Sequence, residues 1–140
     1  MNPSQILAAA LTLTCFILPS LVFYVFDLEI LYNQGLSLKG RIFMMQHKKK
    51  YQPNLGDTVV FTHPKYRTPI LKKVSHREAQ KYQPMVGYAV SSKDDINQTE
   101  IVPKGHVAVL GDHLKSYDSR YASFGFIPLK NIRGKAWRIF

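Results

Sequence analysis

A chain of 140 residues with 46% apolar and 20% charged content has room for one core and is too apolar to be a disordered tail. Nineteen Lys and Arg against nine Asp and Glu leave a formal charge of +10, which alone would suggest an anionic partner such as nucleic acid or a lipid surface. Cys15 is the only cysteine, which excludes an intrachain disulfide framework and a four-thiolate metal site.

In chain order the first feature is Ile6 to Phe26, an uncharged stretch interrupted only by Thr12, Thr14, Pro19 and Ser20. At about 1.5 Å per residue such a helix is roughly 31 Å long, enough to cross a hydrocarbon core of about 30 Å. A membrane-spanning helix is therefore expected, bent at Pro19. A cleaved secretory signal would have a basic start, a shorter apolar stretch and a small-x-small exit. Met1 to Gln5 contains no Lys or Arg, and Leu21 to Phe26 is bulky throughout, so the expectation is an uncleaved anchor over residues 1–30 and one domain over 31–140. Charge bears on orientation in the opposite sense to an exported domain, because Lys39 and Arg41 favour retention of their side in the cytoplasm.

Beyond the anchor the pattern from Thr58 to Trp137 is one of short apolar runs separated by Pro, Gly and charged residues, which predicts strands. Thr58 to Phe61, Ile70 to Val74, Val86 to Val90, His106 to Leu110 and Ala136 to Phe140 are the runs, with Gly105, Gly111, Gly125 and Gly134 placed for turns. Arg77 to Tyr82 reads as a helical turn or a loop, and Ser91 to Gln98 as a polar connection. Lys48-Lys49-Lys50, the one charge run, reads as a solvated loop.

With an anchor in place, the positive balance is better explained by an anionic lipid surface than by nucleic acid, for which no aromatic-basic motif is present. Phe61, Phe124 and Phe126 fall in strand-like runs and are expected in the core. His47, His63, His76, His106 and His113 match no metal spacing and no hydrolase elbow, so they read as structural or surface residues. No metal or cofactor is expected.

The segment Gly111-Asp112-His113-Leu114-Lys115-Ser116-Tyr117-Asp118-Ser119-Arg120-Tyr121, then Gly125-Phe126-Ile127-Pro128 and Asn131-Ile132-Arg133-Gly134-Lys135-Ala136, resembles the type I signal peptidase family. In that family a Gly-Asp-Asn segment leads into Ser-x-Asp-Ser-Arg-Tyr, a glycine, a Val-Pro-like pair and an Ile-x-Gly-Lys/Arg-Ala ending. His113 stands where the family usually has Asn. Further pieces lie upstream. Gly35-Leu36-Ser37-Leu38-Lys39-Gly40-Arg41-Ile42-Phe43 looks like the nucleophile segment of the conjugative-transfer pilin peptidase branch. Gly56 to Phe61 resembles the strand that follows, and Ile70-Leu71-Lys72-Lys73-Val74 the lysine strand.

The resemblance implies a mainly β, compact antiparallel domain behind an N-terminal transmembrane helix, on the periplasmic or outer face of an inner membrane. It implies a serine endopeptidase that removes leader peptides from exported precursors, pilin among them, at sites preceded by small residues. Ser37 would be the nucleophile and Lys72 its base, with Ser116 orienting the amine and Asp118 and Arg120 bracing the loop. Such a lysine must lose its proton near neutrality, for which Ile70, Leu71 and Val74 offer apolar surroundings. Strand alternation sends Lys72 and Lys73 to opposite faces, and the resemblance selects Lys72. Gly35 stands where many relatives carry an oxyanion-hole Ser or Thr, and Ser75-His76-Arg77-Glu78 replaces the family's Gly-x-Pro-Gly-Asp turn. Those departures are what a reading from another class would start from, a catalytically silent, membrane-tethered scaffold of a secretion or conjugation apparatus.

Overall fold

The computed structural model describes residues 2–35, 37–66, 68–82, 97 and 101–140; the run Val86 to Val90 and, Asn97 apart, the connection Ser91 to Gln98 lie outside them. The apolar N-terminal stretch is helical, as α1 (Pro3–Thr12), a π-helical turn (Leu13–Ile17) and α2 (Leu18–Val25). Asn2 caps it by accepting from the Gln5 N–H at 2.9 Å, and the Gln5 side chain accepts from the Asn2 N–H at 3.0 Å. Together Pro3–Val25 is long and apolar enough to cross a membrane, and none of it is buried against the rest of the protein. The wide turn falls just before Pro19. That is a common way for a helix to pass a residue that cannot donate to the preceding turn.

Seven strands follow among the described residues: β1 (Leu28–Tyr32), β2 (Ile42–His47), β3 (Thr58–Thr62), β4 (Pro69–His76), β5 (His106–Leu110), β6 (Ile127–Pro128) and β7 (Ile132–Arg138). Their spatial order is β1-β2-β7-β3-β4-β5-β6, with every pairing antiparallel. The mainly β expectation holds. β3 is buried on both faces: Val59 and Phe61 join Val74, Val107, Val109, Phe124, Ile127 and Ile132 on one side. On the other, Val60 packs with Leu38, Phe43, Met45 and Ala136.

Two glycines sit where a side chain has no room rather than where a turn needs them. Gly134 lies inside β7 opposite His47, and a Cβ there would strike the Gln46 carbonyl. The prediction of a turn at Gly134 is thus replaced by a close strand crossing. Gly105 and Gly125, with φ of 72° and 74°, do occupy turns.

Phe61 and Phe124 are core residues, as expected, in edge-to-face contact at 6.4 Å between ring centroids. His63 is a buried structural histidine: its Nε2 donates to the Phe124 carbonyl at 2.9 Å and its Nδ1 accepts from the Lys65 N–H at 3.1 Å.

Candidate active site

β4 delivers two adjacent lysines to opposite faces. Register pairs Lys72 with Val59 and Lys73 with Thr58, so Lys72 shares the face of Val59, Phe61 and Val74. Only 3% of Lys72 is exposed. Its Nζ donates to Ser116 Oγ at 2.5 Å. Burial pushes its pKa down to about 8, against the pull of the Asp118 carboxylate and with help from the Arg120 charge. Lys73 points outward and pairs with Asp112 at 2.6 Å.

Ser116 is held by the loop that follows β5. Asp118 is fully buried and takes a two-pronged contact from Arg120, Nε to Oδ1 at 2.8 Å and Nη2 to Oδ2 at 2.7 Å. The same carboxylate accepts from the Gly111 N–H at 2.9 Å. Arg120 Nη2 also reaches the carbonyls of His113 and Ser116, both at 3.2 Å, so one guanidinium ties the start, middle and end of the loop together. Ser119 closes it onto β5, donating its N–H to the Val109 carbonyl and accepting the Val109 N–H at its Oγ. With the carboxylate beside it, Arg120 holds its proton more tightly than a free guanidinium.

Facing this loop is the segment from Asn33 to Gly40. Asn33 Nδ2 spans it internally, donating to the carbonyls of Leu38 at 3.2 Å and Gly40 at 3.0 Å. Leu38 anchors it in the core, 4% exposed. Two contacts cross from Asp112: its N–H donates to the Ser37 carbonyl at 2.5 Å, and its carboxylate accepts from the Lys39 N–H at 3.0 Å. Burial alone would raise the Asp112 pKa, but that N–H and the Lys73 ammonium outweigh it and lower it.

Gly111 lies where the two walls meet. A Cβ built on it would come within 2.6 Å of the Ser37 carbonyl oxygen and nearer still to Ser116 Oγ, so Ser37 and Ser116 approach each other across a bare glycine. Ser37 Oγ itself makes no hydrogen bond among the described residues. A cleft of about 500 Å³, lined by Asn33, Gly35, Leu38, Lys39, Asp112 and His113 among others, opens beside it. The five residues singled out from the sequence therefore fall in one region: Lys72, Ser116, Asp118 and Arg120 in direct contact, and Ser37 next to them. Sequence reasoning missed Asn33 and Asp112 as supports of the Ser37 segment. Asp112 was in view within the C-terminal box, but its bonds reach across 73 residues and leave no local mark.

Residues 75–140 match the family described as signal peptidase, peptidase S26. This C-terminal segment, a little under half of the chain, is thus similar to the signal peptidase family. Within the matched S26 segment lie Ser116, Asp118 and Arg120, while Ser37 and Lys72 precede it. Over 98 residues the chain is 40% identical to the mitochondrial ATP-independent inner membrane protease subunit 1b of Arabidopsis thaliana, a match covering 66% of this chain and 54% of that protein. The chain thus spans about half the length of this curated relative. A signal peptidase I from Enterococcus faecalis matches with a TM-score of 0.45 and 22% identity, over 61% of this chain and 97% of that one.

Proposed function

We propose that this protein is a member of the signal peptidase family and a membrane-anchored serine endopeptidase, with residues 1–30 as tether and 31–140 as the catalytic domain on the outer face of an inner membrane. Its substrates are exported precursors with small residues before the cleaved bond; conjugative pilin is the precursor we favour, on the likeness of Gly35 to Phe43 to that branch. The observation that carries the reading is the buried Lys72 amine, held by Ser116 and depressed to about 8, beside the Ser37 segment.

A serine hydroxyl is a weak nucleophile until a base removes its proton, and a lysine serves only when neutral. Donation of one Lys72 N–H to Ser116 fixes the rotation of the amine and leaves its lone pair free to face Ser37. Neutral Lys72 then takes the Ser37 proton as Oγ attacks the precursor carbonyl, and returns it to the departing amine; water, activated by the same amine, releases the acyl group. The Ser37 N–H supplies one donor to the oxyanion. Asp118 and Arg120 never touch substrate and act by holding Ser116. The leader, in extended form, would lie along the cleft beside Gly35 and Leu38, where a small side chain fits next to the wall.

The open Ser37 Oγ favours one other reading, a silent scaffold that keeps the fold. Incubation of the full chain with candidate pilin precursors, read by mass spectrometry of new termini, separates the two. Cleavage by the wild type and none by Ser37→Ala at equal membrane level supports the enzyme. Equal cleavage by both removes Ser37 from the mechanism, and none by either favours the scaffold.

A further inference from the structure

The lysine run Lys48-Lys49-Lys50 reads in sequence as a solvated loop, but the fold gathers it into a built concavity. Lys48, Lys49 and Lys50 from the β2–β3 connection, Lys130 from the 3-10 turn Leu129–Asn131, and Arg133 from β7 line a cleft of about 520 Å³, together with Asp27. Three separate stretches of chain thus supply five cations around one space, against a single carboxylate. The rim is fixed by the backbone: the Lys48 N–H donates to the Arg133 carbonyl, and the His47 N–H to the Asp27 carbonyl, each at 3.0 Å.

The position of this cleft decides what it faces. Asp27 lies two residues beyond the end of the apolar helix Pro3–Val25, so the cations are tied to the point where the chain leaves that helix. Two of the three non-glycine residues with positive φ among those described, Asp27 at 51° and Lys50 at 56°, both belong to this cleft. Aspartate tolerates that conformation and lysine does not favour it, so the turn at Lys50 is held by its surroundings in the shape that completes the rim. Like charges so gathered repel one another unless an anion sits among them.

We propose that this basic cleft binds the phosphate headgroup of an anionic phospholipid in the leaflet from which the domain emerges. The proposal rests on the reading of Pro3–Val25 as a membrane anchor, which places phosphates at the level of Asp27; it does not depend on proteolysis. Lys130 and the lysine run would meet the phosphate oxygens, Arg133 would add a planar fork, and the bound lipid would fix how the domain leans on the surface.

The test uses the full chain in a neutral detergent, titrated separately with short-chain phosphatidylglycerol, short-chain phosphatidylcholine and inorganic phosphate, and read by amide NMR shifts. Saturable shifts at Lys48 to Lys50, Lys130 and Arg133 with phosphatidylglycerol alone are expected. In Lys49→Gln/Lys130→Gln, with unchanged melting, affinity should fall roughly 25-fold, at about fivefold per charge removed near an anionic surface. Equal shifts with phosphatidylcholine would overturn the role of charge. Saturation by inorganic phosphate at the same concentration would overturn the lipid and leave a free-anion site. Unchanged phosphatidylglycerol affinity in the double variant would overturn the cleft itself. Alkaline extraction of membranes holding the full chain tests the anchor independently: release into the supernatant sinks the anchor reading whatever the titration shows.

Discussion

The two loops that meet at Gly111 are built in opposite ways. The wall from Gly111 to Arg120 is closed by a buried ion pair, two carbonyl contacts from Arg120 and a ladder onto β5, and it holds Ser116 against the Lys72 amine. Opposite it, among the described residues, the wall from Asn33 to Gly40 is held by the Asn33 side chain, the Asn33 N–H on the Arg41 carbonyl, the buried Leu38 and two contacts from Asp112. A base must be held in a low-dielectric setting for its pKa to stay depressed, whereas a nucleophile must let an extended chain enter beside it. In the mechanism proposed above, the more heavily bonded wall is the one that holds the base, Lys72.

The largest effect should come from breaking the rigid wall. Arg120→Ala leaves Asp118 charged and buried without its partner, at a cost of about 3–5 kcal/mol measured by denaturant unfolding, with processing lost in proportion. An unchanged midpoint would show that the pair braces nothing. Next in size is the charge on Lys72. Its folded pKa, about 8, lies below the unfolded value of 10.5. Between those values the unfolded chain binds more protons, so stability should rise with pH across that window by roughly 3 kcal/mol. Lys72→Met should flatten the rise and abolish processing. In the wild type the processing rate should climb with a midpoint near pH 8.

The open wall should respond differently. Asn33→Ala removes three bonds, to Leu38, Gly40 and Gly35, worth about 1 kcal/mol each at most, yet should slow processing about tenfold by letting Ser37 drift. A stability loss without a rate loss would reverse the contrast between the walls. Lys73→Ala should do least. Its ion pair with Asp112 has a lysine side chain 47% exposed, so less than about 1 kcal/mol is expected and processing should persist.

How much of this was legible depends on the range of the interactions. The Asp118–Arg120 pair spans two residues, and β alternation separates Lys72 from Lys73, so both could be read from neighbours in the chain. Resemblance located Ser37, whereas nothing local marked Asn33 or Asp112 as its supports. β1 was missed because Leu28-Glu29-Ile30-Leu31-Tyr32 continues the apolar stretch of the anchor, and its exposed Ile30 and Tyr32 show no buried-strand signature. Likewise the basic cleft joins Lys48 to Lys130 and Arg133, a distance in sequence over which a charge run cannot announce its partners.

The insertion of β7 between β2 and β3 has a consequence for the order of synthesis. The apolar helix and the β1–β2 pair leave the ribosome early, but β2 and β3 acquire a common neighbour only when Ile132–Arg138 has been made. Until then the Phe43, Met45 and Val60 side chains lack the Ala136 face they pack on, and the sheet exists as two fragments. A chain interrupted before Ile132 would therefore hold Ser37 and Lys72 on fragments that share the Asp112 contacts and the packing of Val60 on Leu38 and Phe43 but have no strand between them, so the sheet that carries both is completed only after nearly the whole protein has been translated.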